Sequence, residues 1–141
     1  MALSTAVSSA EMGRVAAAAY EGKTIRVSLA SVGTSGFTVN STTANWDSTK
    51  LSGNGYADFT ATVATGGYDA TDGRYEMGST AGANTYIDAQ FTATGGSLTF
   101  DRIYVVVQNG TSLHSLLTES PAVTLAAGQS VTYRIQLAVG L

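Results

Sequence analysis

The chain has 141 residues, enough for one domain with its own core, and 44% of them are apolar. It has no cysteine, which excludes thiol catalysis, thiolate metal sites and disulfides, and its one histidine excludes a multi-histidine zinc site. Only 12% of residues are charged, the net charge is −3, and the seven Lys and Arg never cluster, so they assemble no basic patch for a nucleic-acid backbone.

Threonine (20), serine (15), alanine (21) and glycine (16) fill the space that charge leaves. Thr fits a pleated half-buried surface, and Gly and Ser fit turns. The composition describes a β-rich chain with a neutral polar surface, weakly guarded against association. No run of about 20 apolar residues predicts a membrane-spanning helix. Small residues at Val15 to Tyr20 resemble a cleavage site, but Glu11 and Arg14 interrupt the apolar run before it, so no secretory signal is expected.

Ser4 to Tyr20 reads as a helix, with Ser4 or Thr5 as N-cap, an alanine block at Ala16 to Ala19, and Gly22 as a left-handed stop. Gly13 weakens its middle by about 1 kcal/mol relative to Ala. After Gly22 the period falls to two: Ile25, Val27 and Leu29 alternate with Thr24, Arg26 and Ser28 as a half-buried strand. Ser31 to Ser52 reads as loop with a short strand around Phe37 to Val39. Ala57, Phe59, Ala61 and Val63 mark a second strand. In Tyr68 to Ala83 the Asp72–Gly73 dipeptide predicts a hairpin.

Ile87, Ala89, Phe91 and Ala93 alternate with polar residues as another strand. Leu98 to Val107 is the most apolar strand and is predicted to be central, with Ile103 to Val107 covered on both faces. Asn109–Gly110 is a turn, Leu113 to Thr118 is ambiguous, and Pro121 marks a strand start or loop end. Val131, Tyr133, Ile135 and Leu137 form one last strand. The fold class that follows is all-β, an antiparallel sandwich or jelly roll with one N-terminal helix. Residues 1–22 form the helical segment and 23–141 a single sandwich domain.

Candidate chemistry is sparse. His114 has serines around it but no G-x-S-x-G elbow, and reads as a non-catalytic loop residue. Asp69, Asp72 and Glu76 surround a glycine turn as calcium ligands can, yet the EF-hand spacing is not met and a solvated turn is the ordinary reading. Asp58 and Asp88 sit on polar strand faces, where a carboxylate pair is conceivable and exposed Asp is ordinary. Trp46, Tyr56 and Tyr86 are the candidate stacking platforms of a glycan-binding module. Asn40-Ser41-Thr42 and Asn109-Gly110-Thr111 match the glycosylation sequon, as chance allows in so Ser/Thr-rich a chain. No phosphate loop or dinucleotide fingerprint occurs. No catalytic residue, cofactor or metal is expected.

An Ala-rich N-terminal helix leads into the strand Thr24 to Leu29 and then into Gly- and Thr-rich strands. The apolar run FDRIYVVV (Phe100 to Val107) and the closing AAGQSVTYRIQLAVGL (Ala126 to Leu141) follow. In this order of elements the chain resembles small β-sandwich structural proteins of tailed bacteriophages, either head-decoration (cement) proteins or minor tail proteins. The resemblance implies a virion protein assembled in the host cytoplasm, without catalysis. It further implies a homo-oligomer, a trimer for a decoration protein, binding a major capsid protein or tail proteins but no nucleic acid or membrane. The expected contacts are the helical segment, through Leu3, Val7, Met12 and Val15, and the hairpin region, through Tyr68, Arg74 and Tyr75. A tail, neck or fibre-adaptor protein, or a glycan-binding module, are the alternatives.

Overall fold

The computed structural model describes residues 7–31 and 36–140. The elements run α1 (Ser9–Ala19), β1 (Thr24–Ala30), α2 (Thr43–Asp47), β2 (Phe59–Thr62), β3 (Gly67–Asp69), β4 (Arg74–Met77) and β5 (Ile87–Thr92). β6 (Leu98–Val107), β7 (Ser115–Leu125), β8 (Ser130–Ile135) and β9 (Leu137–Gly140) follow. The fold is all-β and sandwich-like, built from antiparallel sheets with one N-terminal helix. The described chain divides into two compact units: residues 7–23, 62–87 and 134–140 belong to the first, and 24–31, 36–61 and 88–133 to the second.

In the first unit α1 packs on the three-stranded sheet β3-β4-β9. The helix starts later than the sequence suggests. Ser8 is the N-cap, its hydroxyl accepting from the Glu11 N–H at 3.1 Å; the suggested caps Ser4 and Thr5 lie outside the described residues. Ser8-x-x-Glu11 has capping-box spacing, but Glu11 turns its carboxylate to Arg14, with bonds of 2.6 and 2.9 Å. Gly13 has a packing reason. A Cβ there would lie 3.1 Å from the ring of Tyr75, so its absence lets β4 approach the helix. Met12 and Ala16 bury the inner face. The chain leaves the helix at Gly22, with φ +75° as expected, and the Gly22 N–H donates to the Val63 carbonyl at 2.8 Å. The Asp72–Gly73 hairpin forms as predicted, pairing Asp69 with Arg74.

In the second unit the sheet order is β2-β1-β6-β7, and β6 is interior, as its apolarity predicts. The register Val27↔Val105 and Leu29↔Ile103 puts these residues on one face; Arg26↔Val106 and Ser28↔Tyr104 lie on the other. Both faces are covered. Ile103, Tyr104, Val105 and Val106 are all buried, and so is Ser28. β1 is therefore not the half-exposed strand that its alternation implied. A second layer, the β5-β8 pair, meets the first through Tyr133 edge-on to Phe100 and through Phe91 stacked on Tyr56. β5 keeps its predicted alternation, with Ile87, Ala89 and Phe91 buried between exposed neighbours.

Three strand assignments change. Residues 37–39 form no strand. Phe37 packs edge-on against Trp46, and the Thr38 carbonyl accepts from the indole N–H at 2.9 Å. The loop continues into α2, a five-residue helix capped by Thr42. The ambiguous segment and Pro121 belong to one long edge strand, β7. The register breaks between Phe100↔Val123 and Arg102↔Thr118, and the cis Ser120–Pro121 bond lies in that irregularity, where a residue without an N–H costs no ladder bond. The single closing strand is two, because the chain leaves β8 at Gln136 and β9 pairs β4 instead.

The other face of the β1–β6 ladder carries a core of Ala30, Trp46, Tyr104 and Val106, with Phe37, Leu113 and Leu116 around it. Trp46 is fully buried and Leu117, on edge strand β7, is 49% exposed. Trp46→Ala is expected to lower the unfolding free energy by about 3–5 kcal/mol, and Leu117→Ala by less than about 1 kcal/mol, in chemical denaturation. Similar losses at the two positions would contradict this placement of the core.

Candidate functional site

The densest polar constellation lies in the second unit, beside the Trp46 core. Period two brings Arg26 and Ser28 to the same face of β1 as Tyr104 of β6. α2 supplies Asp47 and the following loop supplies Lys50, Tyr56 and Asp58. Arg26 grips Asp47 with two bonds, at 2.9 and 3.2 Å, and lies 3.7 Å from Asp58. The Tyr104 hydroxyl donates to Asp47 at 2.7 Å. Asp58 accepts from Ser28 at 2.8 Å, Tyr56 at 2.6 Å and Lys50 at 2.9 Å. The Arg26 guanidinium also sits 5.7 Å from the Tyr104 ring centre, within cation–π range.

Two carboxylates face two cations, so the group is neutral as a whole. Burial works to raise the Asp58 carboxyl, but the bonds from Tyr56, Lys50 and Ser28 outweigh it and hold it below its ordinary value of 3.8. At Asp47 burial is likewise outweighed, by Arg26 and Tyr104. Both tyrosine hydroxyls are pushed up, first by burial and then by the carboxylate each one serves. The two carboxyls are thus held on the ionised side by the bonds they accept from Arg26, Tyr104, Tyr56, Lys50 and Ser28. This is how a packed polar network supports a sheet.

The sequence-level candidates fare differently. Asp58 is part of this network rather than one of a free pair, and Asp88 is exposed on β5. Trp46 cannot stack a sugar ring, because it is fully buried. Tyr56 lies against Phe91 with its hydroxyl bound to Asp58, and Tyr86 lies under the Arg134 guanidinium. Each of these rings is engaged with its own neighbours. Burial lowers His114, whose ring lies 3.3 Å from the Ser115 hydroxyl.

In the first unit the hairpin brings Asp69, Asp72 and Glu76 together, with a carboxylate oxygen from each within 4.8 Å of the others. That is ligand-like spacing, but Arg74 already provides a positive charge there. It bonds buried Glu76 at 3.1 Å and lies 3.9 Å from Asp72. Glu76 also accepts from the Asn84 N–H at 3.1 Å, and the Thr71 N–H bond holds Asp69 below its ordinary value.

Of the proposed contact residues, Leu3 lies outside the described residues and Val7 is half-buried. Met12 is a correction: at 3% exposure it belongs to the core of its own unit and offers nothing to a partner. Tyr75 is half-buried against Gly13, its hydroxyl donating to Glu21 at 2.8 Å. Arg74 is drawn to Glu76 and to Gln136, at 2.7 Å. Val15 and Tyr68 remain outward, 38% and 44% exposed. The Arg26–Asp47–Asp58 network escaped the sequence reading. Its members are spread along the chain from Arg26 to Tyr104, and only the outward register of Arg26 and Ser28 hinted at a polar cluster.

A shallow depression of about 420 Å³ opens beside α2, lined by Thr42, Thr43, Ala44, Asp47, Gly110 and Thr111. Thr43 is buried, and its hydroxyl has no hydrogen-bond partner among the described residues. Such an orphan costs about 1–3 kcal/mol. Thr43→Val is therefore expected to raise the thermal midpoint; a clear fall would mean that the hydroxyl has a partner in solution. The two carboxyls held below 3.8 give the pH dependence. The unfolded state takes up protons first as pH falls. The network's contribution is therefore complete above roughly pH 5 and is lost as pH drops through and below 3.8. Asp58→Asn is expected to destabilise the chain by about 2–3 kcal/mol near neutrality, by leaving Lys50 unpaired, and to flatten the acid limb in pH-dependent denaturation. An unchanged acid limb would contradict this assignment.

Comparison with protein-family models, with curated proteins and with solved structures finds no match to this chain.

Proposed function

We propose that the chain is a non-catalytic structural subunit that works by burying its surface against copies of itself and against other virion proteins, as a capsid decoration (cement) protein does. One observation carries the reading: all seven Lys and Arg side chains are engaged within the chain. Arg14 pairs with Glu11, Arg26 with Asp47, Lys50 with Asp58, Arg74 with Glu76 and Arg102 with Asp101. Lys23 donates to the Ala18 carbonyl and Arg134 lies over Tyr86. No cation is left to gather a charged ligand, and the remaining surface is largely Thr, Ser, Ala and Gly. Such a surface loses little on dehydration, because it has few charges to strip of water.

Two further features fit the same reading. The four-stranded sheet has open edges at β2 and β7, which neighbouring subunits would cover. Val15 and Tyr68, outward on α1 and β3, are side chains suited to a packed contact. A closed homo-oligomer is the arrangement in which such contacts saturate.

The test is sedimentation of the purified chain. The expected result is a discrete oligomer, which the double substitution Val15→Asp and Tyr68→Asp reduces to monomer while the thermal midpoint stays within a few degrees. A monomer at every concentration, with no binding to particles stripped of small virion proteins, would overturn the proposal.

A further inference from the structure

The chain contains two Asn–Gly dipeptides, Asn54–Gly55 and Asn109–Gly110, and both asparagines are exposed. Glycine leaves the backbone nitrogen after an asparagine unshielded, and that nitrogen is the nucleophile of spontaneous deamidation. By sequence the two sites are equivalent, but the fold makes them unequal.

Asn54 is restrained on several sides. It sits in a turn closed by the Tyr56 N–H donating to the Gly53 carbonyl at 2.9 Å. Asn54 and Gly55 have φ of +50° and +77°, the left-handed pair that a type I′ turn requires. The side-chain amide donates to the Ser97 carbonyl at 2.9 Å, and the Asn54 carbonyl accepts from the Thr94 N–H at 2.8 Å. The amide also lies over Gly96, so closely that a Cβ there would come within 2.5 Å of Asn54 Oδ1. For Cγ to meet the Gly55 nitrogen, the side chain must leave Ser97.

Asn109 follows Gln108, which is fixed to Thr24 by bonds of 2.7 and 3.0 Å. Asn109 itself is outside the left-handed region, and its side chain makes no hydrogen bond among the described residues. The restraint at this site is one turn bond, from the Gly110 N–H to the Val107 carbonyl at 3.1 Å.

We propose that Asn109 is a deamidation site of the folded protein and that the fold protects Asn54. The Gly110 nitrogen gives its proton to hydroxide and attacks Asn109 Cγ. A Cγ–N bond to Gly110 forms, the Cγ–Nδ2 bond breaks, and Nδ2 leaves as ammonia with a proton from water. Water then opens the succinimide at either carbonyl, leaving aspartate or isoaspartate. One water enters, one ammonia leaves, and nothing is oxidised or reduced. The position has a structural neighbour: Thr111 and Ser112 hold the start of α2 through the Thr43 N–H bond at 3.0 Å and the Thr42↔Ser112 bridge.

The test is peptide mapping by mass spectrometry of the full chain kept folded at mildly alkaline pH, beside the same chain in urea. In the folded chain the Asn109 peptide is expected to gain one mass unit roughly tenfold faster than the Asn54 peptide, the factor that one ordinary hydrogen bond supplies. In urea the two rates are expected to converge. Asn54 reacting as fast as Asn109 in the folded chain would overturn the proposal. So would an Asn109 that stays intact there while the urea control reacts.

Discussion

Arg26 lies in the β1–β6 ladder, opposite Val106, with its guanidinium facing both Asp47 and Asp58 and the ring of Tyr104 beside it. Much of the larger unit is arranged around that contact. A cation on an interior strand, only 20% exposed, gains most from partners matched where it stands. Matching it fixes α2, which carries Asp47, and the loop that carries Asp58. Fixing α2 places Trp46 over Tyr104, their ring centres 5.7 Å apart. The polar contact and the aromatic core are thus two consequences of one docking event. The opposite face of the ladder is apolar and belongs to the sandwich core.

The same economy extends to the other charges. The cations meet carboxylates, a carbonyl or an aromatic ring within their own chain, and what faces outward is small and neutral. A surface of this kind attracts charged ligands weakly at long range and resists close packing little at short range. It also explains why sheet edges matter here: β2 and β7 end the four-stranded sheet, and β7 carries Pro121 midway, which limits indiscriminate pairing along its length.

Much of the strand pattern was legible because the side-chain period of two survives in the residues. β5, with Ile87, Ala89 and Phe91 inward, and β6, with its unbroken apolar run, are read directly from their alternation. What could not be read depended on contacts distant in sequence. β1 looks half-exposed because Arg26 and Ser28 are polar, and only the arrival of α2 and Asp58 buries that face. Phe37 looks like a strand residue because it is apolar among turn formers, and it serves Trp46 instead. Gln136 looks like one more outward residue in a single strand, yet the chain changes partners there. Met12 has the spacing of an outward contact, whereas the sheet of its own unit takes it up. For the hairpin carboxylates, sequence showed the proximity of Asp69 and Asp72 but not that Arg74 turns back among them.

The doubly covered β1–β6 ladder should be the last part of its unit to open. Native-state hydrogen exchange, read amide by amide, tests this most directly. The amides of Val27, Val105 and Val106 are expected to exchange slowest, at the free energy of global unfolding, and those of α2 well before them. If the ladder amides exchanged as quickly as those of edge strand β7, the two-faced burial around Arg26 and Trp46 would not be what holds this unit together.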